Sequence, residues 1–291
     1  MLSTSSIPEL LQTLKTSDFD RQQSAAIELV ERGSEAFDLL ATELIPYSHH
    51  APIVAWILGV MGDMKAVPIL MEKFNSRDEL LSIAIAKALG ELGEASPQVC
   101  SALLECAQNS QDELRRACLT SLGWLGSAES VPAILPMLED KDPETRLVVA
   151  ETLAKLGNTQ AVEPLIDHLQ DDNVWVRQRA AYALGKLRAP RACRALIECL
   201  IDHNEWVRQS AALALGELGE KEAKYALIST LKDDTSPVVR RAVAYALGIV
   251  GGEDAVEVLT AALADSDEGV VEAADSALNR LGYSIDDDEL D

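Results

Sequence analysis

The sequence has few aromatic residues and no long uncharged apolar run. Phe, Trp and Tyr make up 4% of the 291 residues, although hydrophobic residues make up 48%, and Ala and Leu dominate them. No run of about 18 uncharged apolar residues occurs, so we predict no membrane span. The opening residues MLSTSSIPELLQTL lack a basic segment followed by an apolar core, so we also expect no signal peptide.

Basic residues are scarce as well. The chain has 25 Lys and Arg against 48 Asp and Glu, which gives a net charge of −23. Nucleic-acid binding needs a basic surface, so this balance argues against a nucleic-acid partner. The five cysteines include no Cys-x-x-Cys pair, which is typical of free thiols in a reducing compartment, and we predict a cytoplasmic protein. They are Cys100, Cys106, Cys118, Cys193 and Cys199.

Motifs of catalysis and metal binding are also lacking. The four histidines form no His-x-x-x-His or His-Glu-x-x-His pattern, so nothing supports a zinc site. A Gly-x-Ser-x-Gly elbow, a P-loop and a Rossmann glycine fingerprint are all missing. We therefore assign no catalytic residue, no metal ligand and no required cofactor, and we leave open whether the chain works as part of an enzyme.

What the sequence does contain is a repeated phrase, Ala-Leu-Gly-x-Leu, with close variants. Its central residue returns every 31 to 33 residues. The eight positions are Gly59, Gly90, Gly123, Ala154, Gly185, Gly216, Gly248 and Asn279. A fixed period of roughly 20–50 residues is the signature of a solenoid. We therefore predict an all-α solenoid of about nine two-helix repeats.

Each repeat is predicted to hold a helix A and a helix B. In the best-defined copy helix A covers about Gln160–Leu169 and helix B about Val174–Leu187, with Asn173 as the N-cap of helix B. The matching cap positions are Asp78, Gln111, Asp142, Asn204, Ser236 and Asp267. We expect the repeated glycine to allow close approach of the next helix, and a second glycine to end helix B in a left-handed conformation. The second glycines are Gly62, Gly93, Gly126, Gly157 and Gly219.

Three regions are predicted along the chain. Residues 1–33 form a degenerate N-terminal capping repeat, and residues 34–283 continue the same domain as the repeat solenoid. Residues 284–291, SIDDDELD, form an acidic C-terminal tail of the kind that is usually solvated.

Several segments resemble HEAT repeats, and more narrowly the HEAT-like repeats of phycobilisome lyases. They are MGDMKAVPIL (61–70), DDNVWVRQRAAYALGKL (171–187) and DHNEWVRQSAALALGELG (202–219). The resemblance covers about residues 7–282 and implies a right-handed superhelix whose B helices line the concave face. E- and F-type bilin lyase subunits act as a pair that attaches or detaches a tetrapyrrole at a phycobiliprotein cysteine. No compact catalytic motif of that group can be carried over to this sequence.

A regular column of arginines has two interpretations. We call the central residue of each repeated phrase the repeat mark. An arginine lies eight residues before five of these marks, at Arg115, Arg146, Arg177, Arg208 and Arg240. A column of acidic or amide residues runs beside it: Asn109, Asp140, Asp171, Asp202, Asp234 and Asp265. The pattern resembles the side-chain ladder that joins neighbouring HEAT repeats. The alternative is that Arg177 and Arg208 bind the carboxylates of a ligand in bidentate fashion.

The variable positions of helix B suggest a binding surface. Trp175, Arg179, Tyr182 and Lys186 share one stripe of the helix, since they follow helical spacing. Trp206 and Tyr245 continue this stripe into later repeats. Between residues 174 and 208 lie seven basic and three acidic residues, an unexpected basic island in an acidic chain. Aromatic and arginine residues are common interface hot spots, while the alternative is partly buried packing between repeats with solvated arginines.

Two functions follow from these observations and from the resemblance. The first is a scaffold or adaptor that grips another protein with its concave face, in phycobiliprotein maturation or turnover if the resemblance extends to function. The second is one subunit of a heterodimeric bilin lyase. In that case the ligand is a bilin such as phycocyanobilin, with Arg177, Arg179, Lys186 or Arg208 on its propionates and Tyr182 or Trp206 on its rings. The predicted partner is accordingly another protein, either a phycobiliprotein subunit or a second HEAT-repeat lyase subunit.

Overall fold

The chain folds into antiparallel helices, in two compact units formed by residues 1–134 and 135–291. The computed structural model describes residues 5–110 and 112–283. The predicted acidic tail and the predicted cap Gln111 lie outside the described residues. The 18 α-helices of the described residues follow the chain as the alternating A and B helices of nine repeats, which confirms the all-α solenoid class.

The first unit contains nine α-helices. They are α1 (Ile7–Leu14), α2 (Phe19–Arg32), α3 (Ser34–Glu43), α4 (Ala51–Val60), α5 (Ala66–Phe74), α6 (Glu79–Leu92), α7 (Pro97–Asn109), α8 (Asp112–Leu125) and α9 (Val131–Ile134). The helices α1 and α2 lie within residues 1–33, for which a degenerate capping repeat is predicted. Helices α4 and α6 pack against each other, as do α6 and α8, so the B helices form one layer of this unit.

The second unit contains the other nine. They are α10 (Pro143–Leu156), α11 (Val162–Asp167), α12 (Val174–Lys186), α13 (Cys193–Cys199), α14 (Glu205–Leu218), α15 (Lys224–Asp233), α16 (Pro237–Val250), α17 (Glu253–Ala262) and α18 (Glu268–Arg280). Neighbouring B helices, from α10 to α18, contact one another more extensively than neighbouring A helices do. The B helices therefore form the more closely packed layer of this unit.

The A helices differ from the prediction in their geometry. The A helix expected over about Gln160–Leu169 consists of a 3₁₀ turn at Thr159–Ala161, the α-helix Val162–Asp167 and a second 3₁₀ turn at His168–Gln170. Pro164 lies inside this segment and has no amide proton to donate, which weakens the regular hydrogen-bond ladder. The B helix expected over Val174–Leu187 is observed within one residue.

Side-chain caps start most B helices as predicted. The Asn173 side chain accepts hydrogen bonds from the amides of Trp175 and Val176. Equivalent caps are formed by Asp78, Asp142, Asn204 and Asp267. The predicted cap Ser236 is wrong, because its hydroxyl instead donates to Glu205 of the preceding repeat and makes no bond to its own helix.

The repeated glycines permit close helix packing, which confirms their predicted role. A Cβ atom added at Gly185 would lie 2.8 Å from the Cα atom of Ala214 on the next B helix. At Gly216 it would lie 3.0 Å from the Cα atom of Ala246. Because both distances are shorter than a normal carbon–carbon contact, a larger residue would push the B helices apart. The glycines thus set the spacing of the surface that the B helices present.

Candidate functional site

The arginine column forms a ladder of bidentate ion pairs in the second unit. In the central pair, Arg177 Nε and Nη2 lie 2.8 and 3.2 Å from the carboxylate oxygens of Asp202 in the next repeat. Arg177 Nη1 also donates to the Asp171 carbonyl oxygen in its own turn, at 2.9 Å. The same arrangement recurs in the pairs Arg146–Asp171, Arg208–Asp234 and Arg240–Asp265. The structural interpretation of this column is confirmed.

The ladder holds its carboxylates in the ionised form. Partial burial acts to raise the pKa of Asp202, but the hydrogen bonds from Arg177 and from the Asn204 amide outweigh it, so this pKa is lowered. The pKa of Asp171 and that of Asp234 are lowered by the same balance. The pKa of Asp265 is lowered chiefly by its bonds to Arg240. Charge-assisted bidentate bonds of this kind are among the stronger polar contacts in proteins.

The ladder separates Arg177 and Arg208 from the other predicted site residues. Both guanidinium groups are largely buried and each donates to an aspartate and to a backbone carbonyl. A ligand carboxylate would have to displace those partners. Their predicted role in binding is untested, but the structure already employs both side chains to join repeats.

The other predicted residues lie on the exposed side of the B helices of the second unit, together with one residue that the prediction omitted. Trp175 and Tyr182 are two turns apart on α12, and Trp206 and Leu213 occupy the same positions on α14. Tyr245 continues the row on α16. These five side chains, which we call the exposed row, are 37 to 51% exposed. Leu213 belongs to the same variable column of the repeat as Tyr182 and Tyr245, so the alignment of the repeats could have identified it.

The basic residues of α12 surround one ring of the exposed row. The Arg179 guanidinium carbon and the Lys186 amine each lie 5.5 Å from the centre of the Tyr182 ring. Both cations also have acidic neighbours on adjacent B helices, with Arg179 at 3.6 Å from Glu151 and Lys186 at 3.3 Å from Glu217. The predicted basic island is thus largely compensated by carboxylates at this point.

A first groove runs from α12 to α16 along the exposed row. It has a volume of about 200 Å³. Its lining consists of Tyr182, Gly185, Lys186, Ser210, Leu213, Ala214, Glu217 and Tyr245. The floor is low because Gly185 and Ala214 are small, and the tyrosine rings and Lys186 form the sides. This groove brings together three of the predicted residues, Tyr182, Lys186 and Tyr245.

A second groove lies between α16 and α18, on the other side of Tyr245. It has a volume of about 390 Å³ and includes Arg241 and Arg280 among its lining residues. The Arg280 guanidinium carbon lies 4.9 Å from the centre of the Tyr245 ring. The prediction missed this groove. Arg280 stands in a variable column of the repeat, and Arg241 lies one residue after the arginine column, at a position that is Gln178 and Gln209 in the two preceding repeats.

The cysteines offer one pair that the sequence did not indicate. Cys106 on α7 and Cys118 on α8 approach because these two helices pack together. A hydrogen bond from the Cys118 thiol lowers the pKa of Cys106 to about 7, against the effect of burial.

The described residues contain no cluster of three His, Cys, Asp or Glu suited to a metal ion. None of the described helices has the length and apolar character needed to cross a membrane.

A family model for HEAT repeats matches residues 50–122, 110–185, 131–215, 162–242 and 195–279, so the chain belongs to the HEAT-repeat family. Escherichia coli YibA is 22% identical, with a TM-score of 0.65 over 92% of this chain and 99% of that one. An engineered protein is 20% identical, with a TM-score of 0.55 over 96% of this chain and 89% of that one. These likenesses show the fold alone.

A third solved structure has a lower similarity. The complex of CpcE and CpcF of phycocyanin lyase from Nostoc is 21% identical, with a TM-score of 0.49 over 77% of this chain and 92% of that one. A search of curated proteins finds no matching sequence. The family match and the first two structures establish the repeat fold.

Proposed function

We propose that this protein is a binding scaffold whose exposed row grips a partner protein. The observation that carries the proposal is the placement of two tryptophans, two tyrosines and a leucine, each 37 to 51% exposed, on three adjacent B helices. The chain has only 12 aromatic residues, so four of them on one face is a marked concentration. Aromatic side chains of this kind commonly supply most of the binding energy of a protein interface.

The rigidity of the support favours the same function. The floor beneath the exposed row is set by close glycine–alanine contacts between B helices. The ladder fixes the turns at the start of these helices. A preorganised surface loses little entropy on binding, because its side chains and backbone are already ordered. Solenoids use such extended inner surfaces to hold other proteins.

Binding of a tetrapyrrole remains the alternative proposal. Arg179 and Lys186 would then contact the propionates, and Tyr182 or Trp206 would pack against the rings. Arg177 and Arg208 are less suited to this task because the ladder employs them. The same experiment can separate the two alternatives, because a bilin absorbs visible light and a protein partner without pigment does not.

The test is affinity capture from native lysate with a matched pair of variants. The Trp175→Ala, Tyr182→Ala, Trp206→Ala triple variant removes half-exposed aromatics from the B helices. The control, Ile201→Ala with Tyr225→Ala, removes two exposed apolar residues outside the B helices of the same unit. We expect the triple variant to lose at least nine-tenths of the captured partner while the control keeps it. Visible absorbance of the eluate checks for pigment.

The thermal unfolding temperature of each variant decides what a loss means. We expect the triple variant to unfold within a few degrees of the parent, since truncating exposed side chains costs little stability. Equal capture by the triple variant and the parent would contradict the proposal. A large fall in unfolding temperature would show that these residues stabilise the fold and do not form a binding surface.

A further inference from the structure

Two arginines of the second groove form no salt bridge with the described carboxylates, unlike the other B-helix arginines of the second unit. In the second unit, Arg146, Arg177, Arg179, Arg208 and Arg240 each form a salt bridge. Arg241 on α16 and Arg280 on α18 form none with any described carboxylate. Arg280 contacts the Tyr245 ring instead. Neither guanidinium group therefore has an ion-pair partner among the described residues, although Glu272 lines the groove and the Asp267 carboxylate lies near Arg241.

The two arginines stand at opposite ends of the groove. Gly269, on the first turn of α18, lies beside Arg241, since a Cβ atom built there would be 3.4 Å from Arg241 Nη1 and 3.2 Å from Asp267 Oδ1. Arg280 is eleven residues further along the same helix, a rise of about 16 Å. Between these ends the α18 side of the groove is formed by Glu272 and three small residues, Ala273, Ser276 and Ala277. The α16 side carries the Tyr245 ring.

This geometry has a chemical consequence for any occupant. A guanidinium group pairs best with a carboxylate, which it can bind through two parallel hydrogen bonds. The low floor of small side chains leaves room for a chain segment to lie along α18. The exposed face of the Tyr245 ring offers apolar contact between the two charged ends. Glu272 lines the groove and Asp267 lies near Arg241, so a bound carboxylate must sit on the guanidinium groups and away from these two acidic side chains.

We propose that the groove between α16 and α18 binds an acidic segment of the partner protein, with Arg241 and Arg280 receiving two of its carboxylates and Tyr245 packing against an apolar residue between them. The inference rests on the proposed function and specifies the chemistry of the partner.

The test selects binding peptides from a phage-displayed library of random dodecapeptides. The full-length chain is immobilised beside its R241A/R280A variant and a control, R194A/K232A. The control removes the same charge from two exposed residues on the A helices α13 and α15. We expect peptides selected on the parent and the control to be enriched in Asp and Glu around an apolar residue, and this enrichment to disappear with R241A/R280A.

Affinity measurements on one selected peptide make the result quantitative. We expect R241A/R280A to weaken its binding at least tenfold and the control to change it less than twofold. A charge-reversed pair, R241E/R280E, should bind the peptide whose acidic residues are replaced by Lys, which also shows that the groove stays folded. Selection of neutral or basic peptides on the parent would overturn the inference. So would equal affinity of the selected peptide for the parent and for R241A/R280A.

The acidic segment 284–291 of the chain itself is the alternative occupant of the second groove. A variant with this segment neutralised, Asp→Asn and Glu→Gln, distinguishes the two cases. We expect its affinity for the selected peptide to match the parent, and a tenfold gain would overturn the assignment of the groove to a partner. Selection of non-acidic peptides that no longer bind the Trp175→Ala, Tyr182→Ala, Trp206→Ala variant would also overturn the inference. That result would leave the proposed function unaffected.

Discussion

At the scale of single residues, Arg188 is an exception to an otherwise regular device. The position three residues after the repeat mark has a positive φ angle, and in seven copies it is a glycine. These are Gly62, Gly93, Gly126, Gly157, Gly219, Gly251 and Gly282. In the eighth copy it is Arg188, with φ +46°. A left-handed conformation costs an ordinary L-residue roughly 1–2 kcal/mol relative to the right-handed one, whereas glycine adopts it readily.

We predict that Arg188→Gly stabilises the protein. Relief of the left-handed strain should outweigh the added freedom of glycine in the unfolded chain and raise the free energy of unfolding by about 0.5–1 kcal/mol. The side chain itself contributes little, since it is exposed and its contact with Glu217 is 3.9 Å long. Urea-induced unfolding followed by circular dichroism measures the change.

The adjacent repeat supplies the control. Gly219 has φ +68° at the same position, so Gly219→Ala should lower the free energy of unfolding by about 1 kcal/mol. If Arg188→Gly instead destabilises the protein, the arginine side chain makes a contact stronger than the strain. The sequence pattern was enough to predict the glycine caps, since only glycine fits a positive φ easily. It could not show how the copy without glycine would adapt.

At the scale of helices and turns, the ladder sets how stability depends on pH. Asp171, Asp202, Asp234 and Asp265 have a lowered pKa in the folded state. A lowered folded-state pKa contributes stability above the unfolded-state value of about 3.9, and that contribution is lost as the pH falls through the folded-state value. The ladder should therefore stabilise the fold fully at neutral pH and lose its effect in acid.

We predict that Asp202→Asn lowers the free energy of unfolding at pH 7 by about 2 kcal/mol, because Arg177 loses a charge-assisted bidentate partner. The difference from the parent should shrink as the pH falls below about 4. Urea unfolding at a series of pH values measures it. The control is Asp172→Asn, a neighbouring exposed aspartate, which should cost less than about 0.5 kcal/mol at any pH. A deficit that stays constant down to pH 2 would contradict the ladder's electrostatic origin.

Among the helices and turns, some features could be predicted from the sequence and others could not. The ladder was predicted because the columns of Arg and Asp resemble those of HEAT repeats, where such side chains join neighbouring repeats. The column of cap residues did not indicate that the Ser236 hydroxyl would donate to Glu205 in place of its own helix. The second groove also escaped prediction. Its arginines stand at different repeat positions, and only the packing of α16 on α18 brings them to one groove.

At the scale of the whole molecule, the net charge of −23 opposes folding. Like charges repel across a compact chain, and dissolved salt screens this repulsion over about 30 Å at 0.01 M but only about 3 Å at 1 M. The ladder pairs act the other way, since each is a local attraction between partly buried groups that salt screens much less. Added salt should therefore remove more repulsion than attraction at neutral pH.

We predict that raising sodium chloride from about 0.01 M to about 1 M at pH 7 raises the thermal unfolding temperature by several degrees. Near pH 4.5, where the net charge approaches zero, only the attractive pairs remain to be screened. The same salt should then leave the unfolding temperature unchanged or lower it. Differential scanning calorimetry at both pH values measures the pair of effects. A fall at pH 7 would mean that the ion pairs between repeats outweigh the repulsion among the 48 acidic residues.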